Sequence, residues 1–264
     1  MKKVLSIILI LFLISGNFIS CRKEKGFPHT LPSADVMLID FSNFINTSQA
    51  VGKNFGAKEA LGYNWAFAAE RVSFWITINK ELSVFVDAYK IATAPKASQT
   101  SDNKWEWNYN ANIAGATYKV RLTAEATKSD IKWEMYISEG GSSPEFRVLE
   151  GTSNTKGNEG KWTFYENPSS PTALLQIDWT KSGTQIGKIK YTCLKNGVNK
   201  DSYIEYGQTS GSYSFYYTVH SYYDKFDKMS DVDIEWNASG EGRVKSSDYL
   251  DGLWQLWNTQ KKDM

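Results

Sequence analysis

From Trp105 onward the chain alternates apolar and polar residues with a period of two, broken by turn residues about every 8–12 positions. Tyr118, Val120, Leu122 and Ala124 share one parity; Lys119, Arg121, Thr123 and Glu125 share the other. Ile131, Trp133, Met135 and Ile137 repeat the pattern against Lys132, Glu134 and Tyr136. Successive side chains of a strand point to opposite faces, so such a sheet has one face on a core and one in water. Lys128-Ser129-Asp130 supplies the turn of a hairpin that would bring Glu134 or Lys132 near Arg121 or Lys119. Further strands are expected at 146–150, 161–166, 174–180, 187–194, 202–206, 213–223, 232–236 and 242–246, each after a turn cluster. About ten such strands predict a mainly β fold, an antiparallel up-and-down barrel or curved half-barrel, with a β-sandwich as the alternative. Residues 248–258 read as a last strand or a short helix over a barrel end. Residues 92–104 read as a polar connector, and 151–160 as a Gly-rich turn.

One long segment departs from this period. Between Asn64 and Ile91, Trp65, Ala68, Ala69, Val72, Trp75, Ile76, Leu82 and Val86 fall on one side of a helical wheel. Phe67, Phe74, Ile78, Phe85 and Tyr89 widen that side into a broad apolar arc. So broad an arc suits a helix mostly enclosed by other elements. The rival is a hairpin turning at Asn79-Lys80, since 71–78 and 83–89 also alternate. The Ala-rich entry and the lack of Gly or Pro favour the helix, with Asn64 as its N-cap. The sheet is then expected to pack on this one helix.

The chain opens with Lys2 and Lys3, an apolar run from Val4 to Ile14, and Phe18-Ile19-Ser20-Cys21. A basic start, a short apolar core and small residues before a cut mark an export signal, here 1–20. Phe18-Ile19-Ser20-Cys21 resembles the bacterial lipoprotein signal. That resemblance implies lipidation of Cys21 and a cell-envelope location, at the outer membrane, on its periplasmic or surface face. Residues 21–34 then read as a tether, and 35–264 as one β-rich domain. Within it, 35–45 is apolar enough to dock as a short helix or edge strand.

Cleavage after Ser20 removes two of 30 basic residues and none of 29 acidic ones, so the net charge becomes 28 − 29 = −1. A near-neutral chain offers no electrostatic footprint for nucleic acid. With Cys21 lipidated, Cys193 is the one remaining thiol, and no intrachain disulfide can form. The signal and the helix-plus-meander plan together resemble uncharacterised envelope lipoproteins. More distantly, the plan is similar to the LolA/LolB lipoprotein-carrier architecture, which implies an open half-barrel with an apolar cavity.

Candidate chemistry is sparse. His29 and His220 are isolated in sequence and define neither a zinc site nor a triad. Asp231, Asp233 and Glu235 share one strand face, a pattern more typical of a solvated face than of a metal site, and no cofactor is implied. Cys193 shares a parity with Ile189 and Tyr191 and reads as buried. The aromatic surplus, 10 Trp and 15 Tyr, reads two ways: as ordinary strand residues, or as the lining of a cavity between sheet and helix. On the second reading Trp75, Phe85, Trp133, Phe215, Tyr217 and Trp236 contact an apolar small molecule or lipid. The expected function is a non-enzymatic, membrane-anchored lipoprotein binding a hydrophobic ligand. The alternatives are an adhesion or glycan-binding module with exposed aromatics near Asp178 or Glu235, and a hydrolase built on His220 and the 231–235 acids.

Overall fold

The computed structural model describes residues 30–45, 62–113, 115–140, 144–166 and 172–264. Cys21, the signal segment and His29 lie outside them. Thirteen strands form one antiparallel sheet in sequence order, each paired with the next. They are β1 (Ser98–Ser101), β2 (Lys104–Ile113), β3 (Ala116–Ala126), β4 (Asp130–Glu139), β5 (Phe146–Asn154), β6 (Glu159–Glu166) and β7 (Thr172–Ser182). β8 (Gln185–Cys193), β9 (Tyr203–Gln208), β10 (Phe215–Tyr223), β11 (Lys228–Trp236), β12 (Gly242–Lys245) and β13 (Gln255–Trp257) follow. The sheet is an up-and-down meander, as expected, but β1 does not pair with β13, so no barrel closes. Nor do the described residues form a second sheet to make a sandwich. The strand count exceeds ten because β1, too short to show a period, lies in the polar connector, and because 248–258 takes its strand alternative at β13. Residues 151–160, read as a turn, are mostly strand.

The β3–β4 hairpin forms, in a register that sets Thr123 opposite Glu134 and Arg121 opposite Tyr136. Glu134 therefore meets Lys132 and Arg147 rather than Arg121 or Lys119. Arg121 instead binds Glu145 at 2.8 Å and lies 4.1 Å over the Tyr136 ring. The outer face repeats this solution. Lys190 covers Tyr203, Tyr203 stacks on His220, and His220 bonds Asp231. Outward aromatics are thus absorbed into cross-strand ladders with cations and carboxylates, each pair worth about 0.2–1 kcal/mol.

The inner face carries the core, and its layers follow the register. One row runs Trp105, Ala124, Trp133, Gly151, Trp162, Ile177, Tyr191, Ile204, Val219 and Val232 across ten strands. Large and small residues alternate along its first half, so each indole lies over a small neighbour. Gly151 faces Trp162, Gly160 faces Trp179, Gly207 faces Tyr216 and Gly242 faces Trp257 across the ladder. A Cβ at any of the four glycines would run into the ring opposite.

Among the described residues two α-helices precede the sheet: the single turn α1 (Ser42–Ile45) and the 29-residue α2 (Tyr63–Ile91). α2 confirms the helix over the hairpin and begins one residue early. Its N-cap is Gly62, which has no side chain to cap with, rather than Asn64. The cap comes instead from the other end of the chain: the Asp263 carboxylate accepts from the backbone N–H of Tyr63 at 3.0 Å and of Asn64 at 2.9 Å. The Asn64 side chain is spent on the Leu256 carbonyl. Asp263→Ala is expected to cost about 1–2 kcal/mol by the lost cap and the lost charge at the helix dipole, measured by urea denaturation; an unchanged midpoint would contradict this account of the cap.

Along α2, contacts with the sheet come in descending strand order. Asn64 meets β13, Arg71 lies over Tyr223 of β10, Asn79 meets Tyr191 of β8, Phe85 and Tyr89 meet β6, and the Ala88 carbonyl meets Tyr109 of β2. The helix therefore runs crosswise over the inner face. Beneath it lies the arm 31–45, with a 3₁₀ turn at Ala34–Met37. Val36, Met37, Ile39, Phe41 and Phe44 are each at most 2% exposed. The arm docks as expected, as short helical turns. A polar knot fixes it: Asn79 Nδ2 donates to the Ile39 carbonyl at 3.2 Å, and Ile39 N–H donates toward Asn79 Oδ1 and the Tyr191 hydroxyl, 3.1 Å from each. The Tyr191 hydroxyl lies 2.7 Å from both Asn79 Oδ1 and the Met37 carbonyl, and its one proton serves one of them at a time. Tyr89 donates to the Pro32 carbonyl and Tyr217 to that of Asp40. Every core residue among the described ones lies between positions 31 and 257. A chain beginning at residue 22 therefore keeps all of the packed elements among the described residues.

Burial raises the hydroxyl pKa of Tyr89, Tyr191 and Tyr217. Tyr165 and Tyr216 are pushed up to about 12, by burial and by Glu150 and Glu205 respectively. Unfolded phenols ionise near pH ~10, so above that the unfolded state sheds protons the native state keeps, and stability falls as pH rises from about 10 toward 12. The expected result is phenolate absorbance that lags and then rises together with loss of the far-ultraviolet dichroism. Smooth titration of all tyrosines in the folded chain would overturn it.

Candidate functional site

An apolar groove among the described residues lies where α2 leaves the sheet incompletely covered. Phe74, Ile78, Leu82 and Phe85 form its helical wall, spaced i, i+4, i+8 and i+11 so that they share a face. Phe164 and Tyr165 of β6, Leu174 of β7 and Cys193 of β8 form the opposite wall, and the loop 195–199 closes one end. The groove encloses about 380 Å³, within the range of about 300–1,000 Å³ that small-molecule sites take. Glu81 and Lys195 stand at its edge, and Lys195 is already paired with Glu166 at 2.9 Å. Burial raises the Cys193 thiol pKa, which keeps it protonated and a poor nucleophile. The thiol is floor, as the sequence suggested.

A second groove, of about 410 Å³, adjoins the first and shares Phe74 and Asn199 with it. It is polar: Glu70, Arg71, Ser73, Ser221, Tyr222, Asp224 and Lys225 line it. Arg71 stands out. It is 6% exposed, and its Nε and Nη2 are buried with no hydrogen-bond partner among the described residues. Its guanidinium carbon lies 3.9 Å over the Tyr223 ring. Burial lowers its pKa, with Tyr223, Glu70 and Asp248 acting in the opposite direction. The nearest of these carboxylates to a cation of its own is Asp248, held by Lys228 at 2.6 Å. The indole N–H groups of Trp65, Trp75, Trp162 and Trp179 are also buried without a partner among the described residues. A buried charge, however, costs far more than a neutral donor.

Of the six aromatic residues expected at a ligand, Phe85 lines the apolar groove. Phe215 and Trp236 line a separate, more polar recess near Asp40 and Asn43. Trp75, Trp133 and Tyr217 are fully buried in the core; the Trp133 indole donates to Ser153, and the Tyr217 ring sits among Phe41, Phe44 and Trp236. The sequence reading missed Arg71, yet a signal was present: it is the one cation amid Ala68, Val72 and Trp75 on the apolar arc of α2.

The other candidates do not converge. His220 Nδ1 lies 2.7 Å from Asp231 Oδ1 on the outer face, where Asp231 is 77% exposed. Cys193 is on the inner face. Asp233 and Glu235 each take their own cation, Lys245 and Arg243, as a solvated strand face does. Among the described residues no group of three or more His, Cys, Asp or Glu is placed to hold a metal ion. Trp179 and Trp236, beside Asp178 and Glu235, are 2% and 7% exposed, so those rings are not presented to a glycan. No helix among the described residues is long and apolar enough to cross a membrane. Compared with known proteins, the chain matches no family model, no curated protein and no solved structure.

Proposed function

We propose that this chain is a non-enzymatic envelope lipoprotein, anchored through Cys21, that holds an apolar small molecule or lipid between its helix and its sheet. The groove walled by Phe74, Ile78, Phe85 and Leu174 carries this reading. Ten or so buried methylenes would contribute about 0.8 kcal/mol each before the cost of ordering the ligand. The half-barrel geometry is part of the proposal. α2 reaches from β13 to β2, and 29 residues of helix span about 43 Å, whereas eleven flat strand spacings span about 53 Å. The sheet curling toward the helix makes up the difference, which leaves a trough rather than a closed barrel. The lipid anchor rests on Phe18-Ile19-Ser20-Cys21 and the outer-membrane location on the same resemblance.

An environment-sensitive apolar dye tests the groove directly. The chain from residue 22 onward is expected to bind such a dye saturably, and a long-chain fatty acid is expected to displace it. Ile78→Trp, which fills the groove from its half-buried rim, is expected to weaken dye binding about tenfold or more with little change in stability. Equal binding by Ile78→Trp would move the site elsewhere.

A further inference from the structure

We infer that Asn196 is a site of spontaneous deamidation, and that the change remodels the loop closing one end of the apolar groove. Asn196-Gly197 is the only Asn-Gly pair in the chain. The reaction needs only base and water. The Gly197 backbone nitrogen gives up its proton to solvent base and bonds to the side-chain carbonyl carbon of Asn196. The bond from that carbon to Nδ2 breaks, and the nitrogen leaves as ammonia after taking up a proton. Water then opens the resulting succinimide at one of its two carbonyls. Opening at the former side-chain carbonyl gives aspartate. Opening at the backbone carbonyl gives isoaspartate, whose main chain runs through Cβ and the former amide carbon.

The loop leaves both reacting groups free. The Gly197 carbonyl accepts from the Lys200 N–H at 3.1 Å, but among the described residues the Gly197 N–H has no acceptor. The Asn196 amide likewise has no hydrogen-bond partner among them, and both residues are exposed, so base and water reach them. Gly197 has φ of +140°, a range that glycine takes without strain, and it has no Cβ to screen its nitrogen from attack. Other asparagines in turns are pinned. Asn237 Oδ1 accepts from the Ser239 N–H and hydroxyl and from the Glu241 N–H, while its Nδ2 donates to Glu241. Asn258 Oδ1 accepts from the N–H groups of Gln260 and Lys262. Neither amide can turn back on the following nitrogen without giving up those bonds. The consequence follows from position. Residues 195–199 bound the apolar groove, and Asn199 also borders the polar one. Either product places a carboxylate next to Lys195, now paired with Glu166, and isoaspartate also inserts a carbon atom into the main chain of the loop. This consequence rests on the apolar groove being the binding site; the modification does not.

The experiment incubates the chain from residue 22 onward in mildly alkaline buffer and samples it over time. Each sample is digested for mass spectrometry, labelled with an isoaspartyl methyltransferase, and titrated with the apolar dye. The peptide spanning Asn196 is expected to gain the mass of a hydroxyl group in place of an amide NH2, and to become methylatable, well before the peptides carrying Asn237 and Asn258. Gly197→Ala, whose Cβ would meet nothing within 4 Å, is expected to slow the change about tenfold or more, because a side chain then screens the nitrogen. Asn196→Gln, which would have to close a larger ring, is expected to stay unmodified. Dye affinity should fall in wild type as the modified fraction rises, and hold steady in Asn196→Gln. Change at Asn237 or Asn258 as fast as at Asn196, or an unchanged rate in Gly197→Ala, overturns the site. Complete modification of Asn196 with unchanged dye affinity overturns the remodelling of the groove. Failure of the fresh, unmodified chain to bind dye overturns the groove reading, while the mass and methylation readouts still decide the modification.

Discussion

Asn79→Ala is expected to loosen the arm 31–45 and destabilise the chain by about 3 kcal/mol, the sum of an unsatisfied buried carbonyl and weakened donors around it. Asn79 sits mid-helix, where asparagine is a poor helix former, so it is not there for α2. Its amide faces Ile39 with both its oxygen and its nitrogen, and its oxygen also faces the Tyr191 hydroxyl. Helix, arm and β8 are thereby joined at one point. Removal leaves the Ile39 carbonyl without its donor and the Ile39 N–H with Tyr191 alone. The arm covers core residues of both helix and sheet, so its release would expose Val36, Met37 and Phe41 together. Two readouts distinguish this from a general loss of packing. Protease cleavage should appear between residues 30 and 45 before the domain unfolds, and hydrogen exchange at Ile39 should speed up well ahead of exchange at β7 and β8. Tyr191→Phe, which leaves the direct Asn79–Ile39 pair intact, is expected to cost about half as much. A cost equal to that of Asn79→Ala would mean that the hydroxyl, not the amide, is the centre of the knot.

Gly160→Val is expected to cost about 3 kcal/mol or more and to leave much of the chain insoluble. A Cβ at Gly160 would sit 2.5 Å from the Thr152 carbonyl oxygen and 2.6 Å from the Trp179 ring. Neither can give easily: the first is ladder backbone, and the second is 2% exposed in the core. The same pairing of a glycine with an indole recurs at Gly151 and Gly242, so this is how the sheet fits indoles on its inner face without crowding; Gly207 does the same for the Tyr216 ring on the outer face. Combined with Trp179→Ala, the valine should cost less than the two changes added, with a coupling of about 1–3 kcal/mol. Simple additivity would show that the ring is not what the glycine accommodates.

Much of the fold is legible in the sequence because its signals are local. The 105–137 alternation gives β2 to β4 and their faces, and the absence of Gly or Pro across 64–91 separates α2 from a hairpin. What was not legible is set at long range. The cap of α2 comes from Asp263, two hundred residues away, with no mark at Gly62. Closure depends on whether β1 and β13 meet, and both are edges too short to show a period, one polar and the other three residues ending in the buried Trp257. The register that places Glu134 with Arg147 depends on a bulge between β4 and β5. For the site, aromatic identity proved a weak guide. Trp75, Trp133 and Tyr217 are large apolar residues that a core claims first, and only Phe85 of the six reaches the apolar groove. Arg71 is the exception on that face of α2, since a buried charge needs a reason while an aromatic there does not.

The claim that matters most is that the groove between α2 and the sheet is occupied. Native mass spectrometry of the chain from residue 22 onward, purified from its own host and followed by organic extraction, measures that directly. The account predicts a discrete added mass that partitions into the organic phase and is absent from Ile78→Trp. A wild-type chain carrying no added mass, and binding no amphiphile when one is supplied, would contradict it.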